Sequence, residues 1–103
     1  MKKEIFFDKN ANQELIKLSI QVQKKFQALI KILKEAGKLE FPEGRKIDKN
    51  LYEIRIKFKG EFRGFYAYIK NNFIILLPFF RKKSQKTAIK NLKTAKRRLK
   101  YYE

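Results

Sequence analysis

Three consecutive segments between residues 51 and 80 have the pattern of β-strands joined by very short turns, and this run constrains the fold most strongly. In residues 51–59, apolar side chains at 52, 54, 56 and 58 alternate with charged ones, which predicts a strand with one buried face. Residues 62–70 and 73–80 follow after Gly60-Glu61 and Asn71-Asn72, pairs typical of tight turns. The third segment is apolar throughout, so we expect it to be the central strand, covered on both faces.

The segments before this meander predict one more strand and a helical region. Residues 2–7 read as a short first strand. Between residues 10 and 36, apolar side chains recur every three or four positions, which predicts one or two amphipathic helices that end at Gly37. Residues 38–50 contain Pro42 and Gly44 and predict a loop.

A change of period after residue 83 predicts a final helix, with Thr87 as its N-cap. We expect its apolar stripe to pack on the sheet; the stripe consists of Ile89, Leu92, Ala95, Leu99 and Tyr102. The element order is then β–αα–βββ–α. The sequence therefore predicts a single α+β domain spanning residues 1–103, a small twisted antiparallel sheet flanked by helices.

Histidine and cysteine are both absent, which narrows the chemistry that the chain can perform. Zinc sites depend mostly on imidazole and thiolate ligands, so we expect neither a metal site nor a cofactor. No apolar run reaches the length of a membrane span, and no apolar segment of sufficient length follows the basic residues near Met1, so we expect no signal peptide. These features predict a cytoplasmic protein that has no membrane partner.

A net charge of +17 indicates an anionic partner, and the charge is concentrated at one end. Residues 81–103 carry ten basic residues and one acidic residue. Such a block favours nucleic acid, an acidic membrane surface or an acidic protein, although a merely solvated lysine-rich face is also common. On the final helix the cations that we expect to face outward and bind RNA are Lys86, Lys90, Lys93, Lys96 and Arg97.

Cations on the predicted sheet are the best candidates for a site. Arg55 and Lys57 share one face of their strand, Arg63 opens the next strand, and the basic run 81–83 lies where the third strand ends. In an antiparallel meander these places can converge on a concave site that grips phosphate groups. Tyr66 and Tyr68 either stack on RNA bases or belong to the core, and of the two we expect Tyr66 to bind RNA.

These motifs, taken in order, resemble the phage-related HigB-like branch of the RelE/ParE toxin superfamily. The segments that carry the resemblance are residues 51–55, Phe62 with Arg63 and Tyr66, residues 74–80, residues 81–87, and Ala95 with Arg98. Two positions depart from the family pattern: Pro78 stands where the family has a histidine, and Ala88 where it has a proline.

The resemblance implies a toxin that cleaves mRNA without a metal ion, on the ribosome, and that a helix-turn-helix antitoxin neutralises. The basic residues implied as catalytic are Arg55, Arg63, Arg81, Lys82 and Lys83. RNA brings its own nucleophile, the 2′-hydroxyl, so a site without histidine can work by orientation and charge stabilisation. A guanidinium such as that of Arg63 or Arg81 suits the charge stabilisation, and a lysine crowded by other cations can serve as acid or base.

Two other functions remain open at this point. The first is a non-catalytic protein of the same fold, which binds ribosomal RNA or another target such as gyrase. The second is an unrelated small RNA-binding protein.

Overall fold

The computed structural model describes residues 2–70 and 72–103, which form one sheet with helices on both of its faces. The elements are β1 (Glu4–Phe7), α1 (Ala11–Ile16), α2 (Ile20–Ala36), β2 (Gly44–Asp48), β3 (Leu51–Lys57), β4 (Glu61–Ile69), β5 (Phe73–Lys82) and α3 (Gln85–Leu99).

The strand order across the sheet is β1-β5-β4-β3-β2. β1 runs parallel to β5 and every other neighbouring pair is antiparallel, so the sheet is mixed. The α+β class and the β3–β4–β5 meander are confirmed. β5 is an inner strand as expected, but the central position belongs to β4, because β1 and β2 add one strand at each edge.

Two separate cores cover the two faces of the sheet. On one face, α1 and α2 pack on the strands through residues such as Phe26, Leu33 and Tyr66. On the other, α3 packs through Ala95 and Leu99. We call these the α2 face and the α3 face. β5 contributes alternate residues to both cores, which confirms that it is covered on both sides.

The predicted loop over residues 38–50 is wrong in part, because Gly44–Asp48 forms the edge strand β2. The segment lacks a buried alternating face and becomes a strand by pairing with β3, where Gly44 lies opposite Ile54. A Cβ at Gly44 would lie 2.4 Å from the Cβ of Leu39. Glycine is therefore needed for the turn back into the sheet.

The structure confirms the predicted end of α2 and corrects the predicted start of α3. Gly37 has φ 80 and ends α2, as predicted. At α3 the N-cap is Ser84, whose hydroxyl accepts a hydrogen bond from the Thr87 amide, so the assignment of Thr87 as the cap is wrong. The Asn71-Asn72 turn lies partly outside the described residues.

Only the second half of α3 packs as its apolar stripe predicts. Ala95 and Leu99 are buried and Leu92 is half-buried. Ile89 is not covered by the sheet, because 47% of the residue is exposed. Docking of Ile89 on the sheet was therefore a wrong prediction. Within residues 2–70 and 72–103, no helix is long and apolar enough to cross a membrane.

Candidate active site

Charged side chains of four strands form three rows across the α3 face of the sheet. Residues directly opposite each other on neighbouring strands point to the same face. The rows are Arg45–Glu53–Phe65, Arg55–Arg63–Phe80 and Lys57–Glu61–Lys82. Phe65 and Phe80 belong to the core under α3, which places all three rows on that face.

Glu53 joins the two guanidiniums of the middle row. Arg55 and Arg63 lie directly opposite each other, an arrangement that would be repulsive by itself. One carboxylate oxygen of Glu53 accepts a hydrogen bond from Arg63 Nη1 at 2.8 Å, and the other lies 3.7 Å from Arg55 Nε. The buried carboxylate thus keeps two cations side by side. Its Oε1 atom accepts no hydrogen bond from the described residues.

Arg63 is enclosed by carboxylates, whereas the sequence predicts it among other cations only. Its side chain is 7% exposed, and Nη2 donates to Glu61 at 2.6 Å while Nη1 donates to Glu53. Burial lowers the pKa of Arg63, but the hydrogen bonds to Glu61 and Glu53 outweigh it, and the net shift is upward. Arg63 therefore keeps its positive charge, and its guanidinium is already hydrogen-bonded to two carboxylates of the protein.

A cleft of about 330 Å³ lies over the first two rows, beneath the N-terminal half of α3. Arg45, Arg55 and Lys82 line its sheet side, and Arg63 with Glu53 lines its floor. Arg55 keeps 32% of its side chain exposed, so its guanidinium can meet a ligand in the cleft while Glu53 holds it. The arrangement is suited to an anionic ligand.

The predicted basic residues divide between the two faces of the sheet. Arg55, Arg63 and Lys82 meet on the α3 face, and Lys57 lies in the third row at its end. Arg81 does not join them, because it pairs with Phe62 on the α2 face and its guanidinium lies 5.7 Å from the Phe62 ring. Lys83 follows the end of β5 and is exposed.

Neither tyrosine of β4 lies in the cleft. Tyr66 is 1% exposed in the core of the α2 face, where its ring stacks on that of Tyr52 at 5.2 Å. Base stacking by Tyr66 was therefore a wrong prediction. Burial raises the pKa of its hydroxyl, so that hydroxyl is a poor proton carrier. Tyr68 lies on the same face and donates a hydrogen bond to the Gly37 carbonyl oxygen at 2.6 Å.

Four of the predicted RNA-binding cations form one exposed stripe on α3, which we call the outer stripe: Lys86, Lys90, Lys93 and Arg97. Their spacing places them on one side of the helix. Lys96 points elsewhere, because its ammonium lies 2.8 Å from a carboxylate oxygen of Asp48 at the end of β2. It fastens the helix to the sheet edge.

Two charged residues of the cleft were not predicted from the sequence, Arg45 and Glu53. Arg45 lies on the strand that was expected to be a loop, and Glu53 counted only as the polar side of an alternating strand. The register between β2, β3 and β4 is the signal that would have found them. Among the described residues, no group of three or more histidine, cysteine, aspartate or glutamate side chains is placed to hold a metal ion.

A five-stranded mixed sheet with three helices and a cationic cleft under the last helix defines a small basic domain with a RelE-like fold. The model of the family described as Phage derived protein Gp49-like matches residues 13–100. The chain belongs to this family, which is one of RelE-like toxins in the RelE/ParE superfamily.

A solved structure supports the fold assignment independently. A mutant of the E. coli toxin RelE in the free state is similar to this chain with a TM-score of 0.69 and 17% sequence identity. The likeness covers 90% of this chain and 97% of the other. No curated protein sequence matches the chain. Family and fold together confirm the resemblance and support a toxin of a toxin–antitoxin pair, which implies an antitoxin partner.

Proposed function

We propose that this protein is an endoribonuclease toxin that cleaves mRNA on the ribosome, without a metal ion, and so inhibits translation. The observation that carries the proposal is the cleft of the α3 face, where three exposed or half-exposed cations, Arg45, Arg55 and Lys82, surround a rigid Glu53–Arg63 pair. Such a cleft binds the phosphate backbone of RNA by charge, and bidentate guanidiniums orient it.

The reaction uses the 2′-hydroxyl of the RNA as nucleophile. This oxygen attacks the adjacent phosphorus, the bond to the 5′-oxygen breaks, and a 2′,3′-cyclic phosphate remains. Negative charge grows on the phosphate oxygens in the transition state, and Arg55 and Lys82 are placed to stabilise it. Arg63 contributes through its fixed positive charge beneath them.

Proton transfer falls to the lysines of the third row, Lys57 and Lys82, which flank Glu61 on neighbouring strands. Lys82, which is charged in its stabilising role, donates a proton to the leaving 5′-oxygen, and Lys57 in its uncharged form takes the proton of the 2′-hydroxyl. Both tyrosines of β4 are turned to the opposite face and take no part.

Docking on the ribosome is a second part of the proposal and uses the outer stripe of α3. Its four cations face away from the sheet core, and the structure gives no ion pair to any of them within the described residues. Each phosphate that such a cation neutralises releases counterions, so we expect binding to weaken log-linearly as salt rises. A salt response that stays flat would exclude this mode of docking.

The experiment is a translation reaction with purified protein, followed by primer extension along the mRNA and analysis of the RNA ends. We expect new ends within translated codons that carry 2′,3′-cyclic phosphate or its 3′-phosphate product. A chelator titrated to a level that leaves the ribosomes assembled should not prevent cutting. Inhibited translation with intact mRNA would contradict cleavage and favour a non-catalytic target such as ribosomal RNA. Uninhibited translation would favour a target outside the translation machinery, such as gyrase.

A further inference from the structure

The cleft has two chemically different walls, and the cations account for only one of them. Its sheet wall is cationic, but its helix wall is apolar and consists of Ala88, Ile89 and Leu92 of α3. Ile89 is 47% exposed, whereas Ala95 and Leu99 of the same helix are buried and Ala88 and Leu92 are half-buried. Ile89 therefore gives the cleft an open aliphatic surface opposite its cations.

The ligand that fits both walls is an anion with a flat apolar body. Unstacked bases of single-stranded RNA have this character, because their faces stack on side chains while their phosphates contact cations. The cleft volume of about 330 Å³ is at the lower end of the range for small-ligand sites. One nucleotide at a time is therefore the natural occupant.

One neutral hydrogen-bonding side chain lines the cleft, the amide of Gln85 at the first position of α3. An amide offers both donors and an acceptor, so it can tell the edge of one base from that of another. Ile89 and Leu92 would contact a base through apolar surface alone, so they do not distinguish one base from another.

From this arrangement we propose that the cleft holds one RNA base against Ile89 and that Gln85 reads the edge of that base. The inference rests on the proposed RNA-binding function and adds the specificity determinant of the same site. The phosphate next to this base lies on Arg55 and Lys82. The cleavage preference of the protein is then set by α3 rather than by the sheet.

The first test measures binding, so that its result does not depend on cleavage. Fluorescence anisotropy compares a short single-stranded RNA with an abasic backbone of the same length. We expect the wild type to bind the RNA several-fold more tightly than the abasic backbone, because only the base can bury the apolar surface of Ile89. Ile89→Ala should abolish this difference. The matched control is Ile32→Ala, at an equally exposed isoleucine of α2, which should keep it.

The second test maps cleavage positions. Gln85→Ala should spread the cuts over bases that the wild type avoids, whereas Gln27→Ala on α2 should leave the pattern unchanged. The inference is overturned if wild type binds both probes equally, or if the variants at 85 and 89 keep the wild-type affinity ratio and cutting pattern. It is also overturned if Ile89→Ala weakens only the antitoxin complex, since the apolar wall would then be a protein-docking surface. Absence of any cleavage by wild type would refute the proposed function alone.

Discussion

Glu53 and Arg63 are charged residues that belong to the interior of the α3 face. Taking two charges out of water is costly, and their attraction compensates only when geometry and further hydrogen bonds are good. Here the Glu53–Arg63 contact is 2.8 Å, and Glu61 and Arg55 add one more partner to each residue. The pair therefore fixes the floor of the cleft, and removing either member has consequences beyond the site.

Arg63→Ala should destabilise the fold. The substitution leaves the Glu53 carboxylate buried with Arg55 alone at 3.7 Å, a loss that typically costs about 3–5 kcal/mol. Urea unfolding should show this as a lower midpoint with an unchanged slope. Lys57→Ala, an exposed cation of the same face, should change stability by less than about 0.5 kcal/mol. Equal midpoints for Arg63→Ala and wild type would show that the pair is not structural.

The hydrogen bond between Arg63 and Glu61 predicts that the stability of the fold decreases at acid pH. This hydrogen bond lowers the pKa of the Glu61 carboxyl below the ordinary value of 4.5. The charged form is thus favoured by folding, so this stabilisation is complete above pH 4.5 and is lost as the pH falls through the lowered pKa. Thermal melting between pH 6 and pH 3 should show a shallower decline for Glu61→Gln than for wild type. Glu35→Gln, an exposed carboxyl on α2, should follow wild type; if it flattens the decline equally, the Arg63 contact is not the cause.

The sequence identified the cations of the site but not the residues that surround them. Arg55, Arg63 and Lys82 were all recognisable as basic residues on or beside strands. Their grouping depends on the register of β3 against β4 and of β4 against β5, because a shift of one residue moves a side chain to the other face. Arg81 and Tyr66 illustrate this, since both lie on the α2 face.

Among the elements, those with a strong period were predictable and those formed by pairing were not. β3, β4, β5, α2 and α3 each have a clear apolar pattern. β2 is short, half-exposed and preceded by Pro42, so it exists through its ladder with β3. The apolar pattern of α3 predicted its existence but not its tilt, because Ile89 lies about a quarter turn from Ala95 and Leu99 on the helix.

The outer stripe of α3 should contribute to the binding of RNA but not to the stability of the fold. Replacing Lys86, Lys90 and Lys93 with glutamine should hardly change the melting temperature, because exposed charges contribute little. The same variant should bind ribosomes and RNA more weakly, with a log–log salt slope reduced by about two. Replacing Lys24, Lys31 and Lys34 of α2 makes the matched control with the same change of charge. If that variant loses as much affinity, net charge rather than the stripe governs binding.

In the molecule as a whole, polar contacts hold the C-terminal end of α3 to the rest of the fold, whereas its N-terminal half leaves a cleft between helix and sheet. Near its C-terminal end, Arg98 donates two hydrogen bonds to Glu14 at 2.8 and 2.9 Å and lies 3.3 Å from Asp8. Tyr102 donates to Asp8 at 2.8 Å. These contacts tie the helix to the segment before α1 and to α1 itself. The N-terminal half then stands over the cationic rows and leaves the cleft beneath it.

We propose that the α3 face of the sheet, and not the α2 face, carries the reaction. Arg55 and Arg81 both lie near one end of the sheet, the first half-buried and the second exposed, but they lie on opposite faces. The most direct measurement compares mRNA cleavage by Arg55→Ala and Arg81→Ala at equal concentration of folded protein.

We expect Arg55→Ala to lower the cleavage rate by about 10²–10³, the usual effect of removing one transition-state contact. Arg81→Ala should remain within a few-fold of wild type, and both variants should melt near the wild-type temperature. Full activity of Arg55→Ala together with loss of activity in Arg81→Ala would contradict the account and place the site on the other face of the sheet.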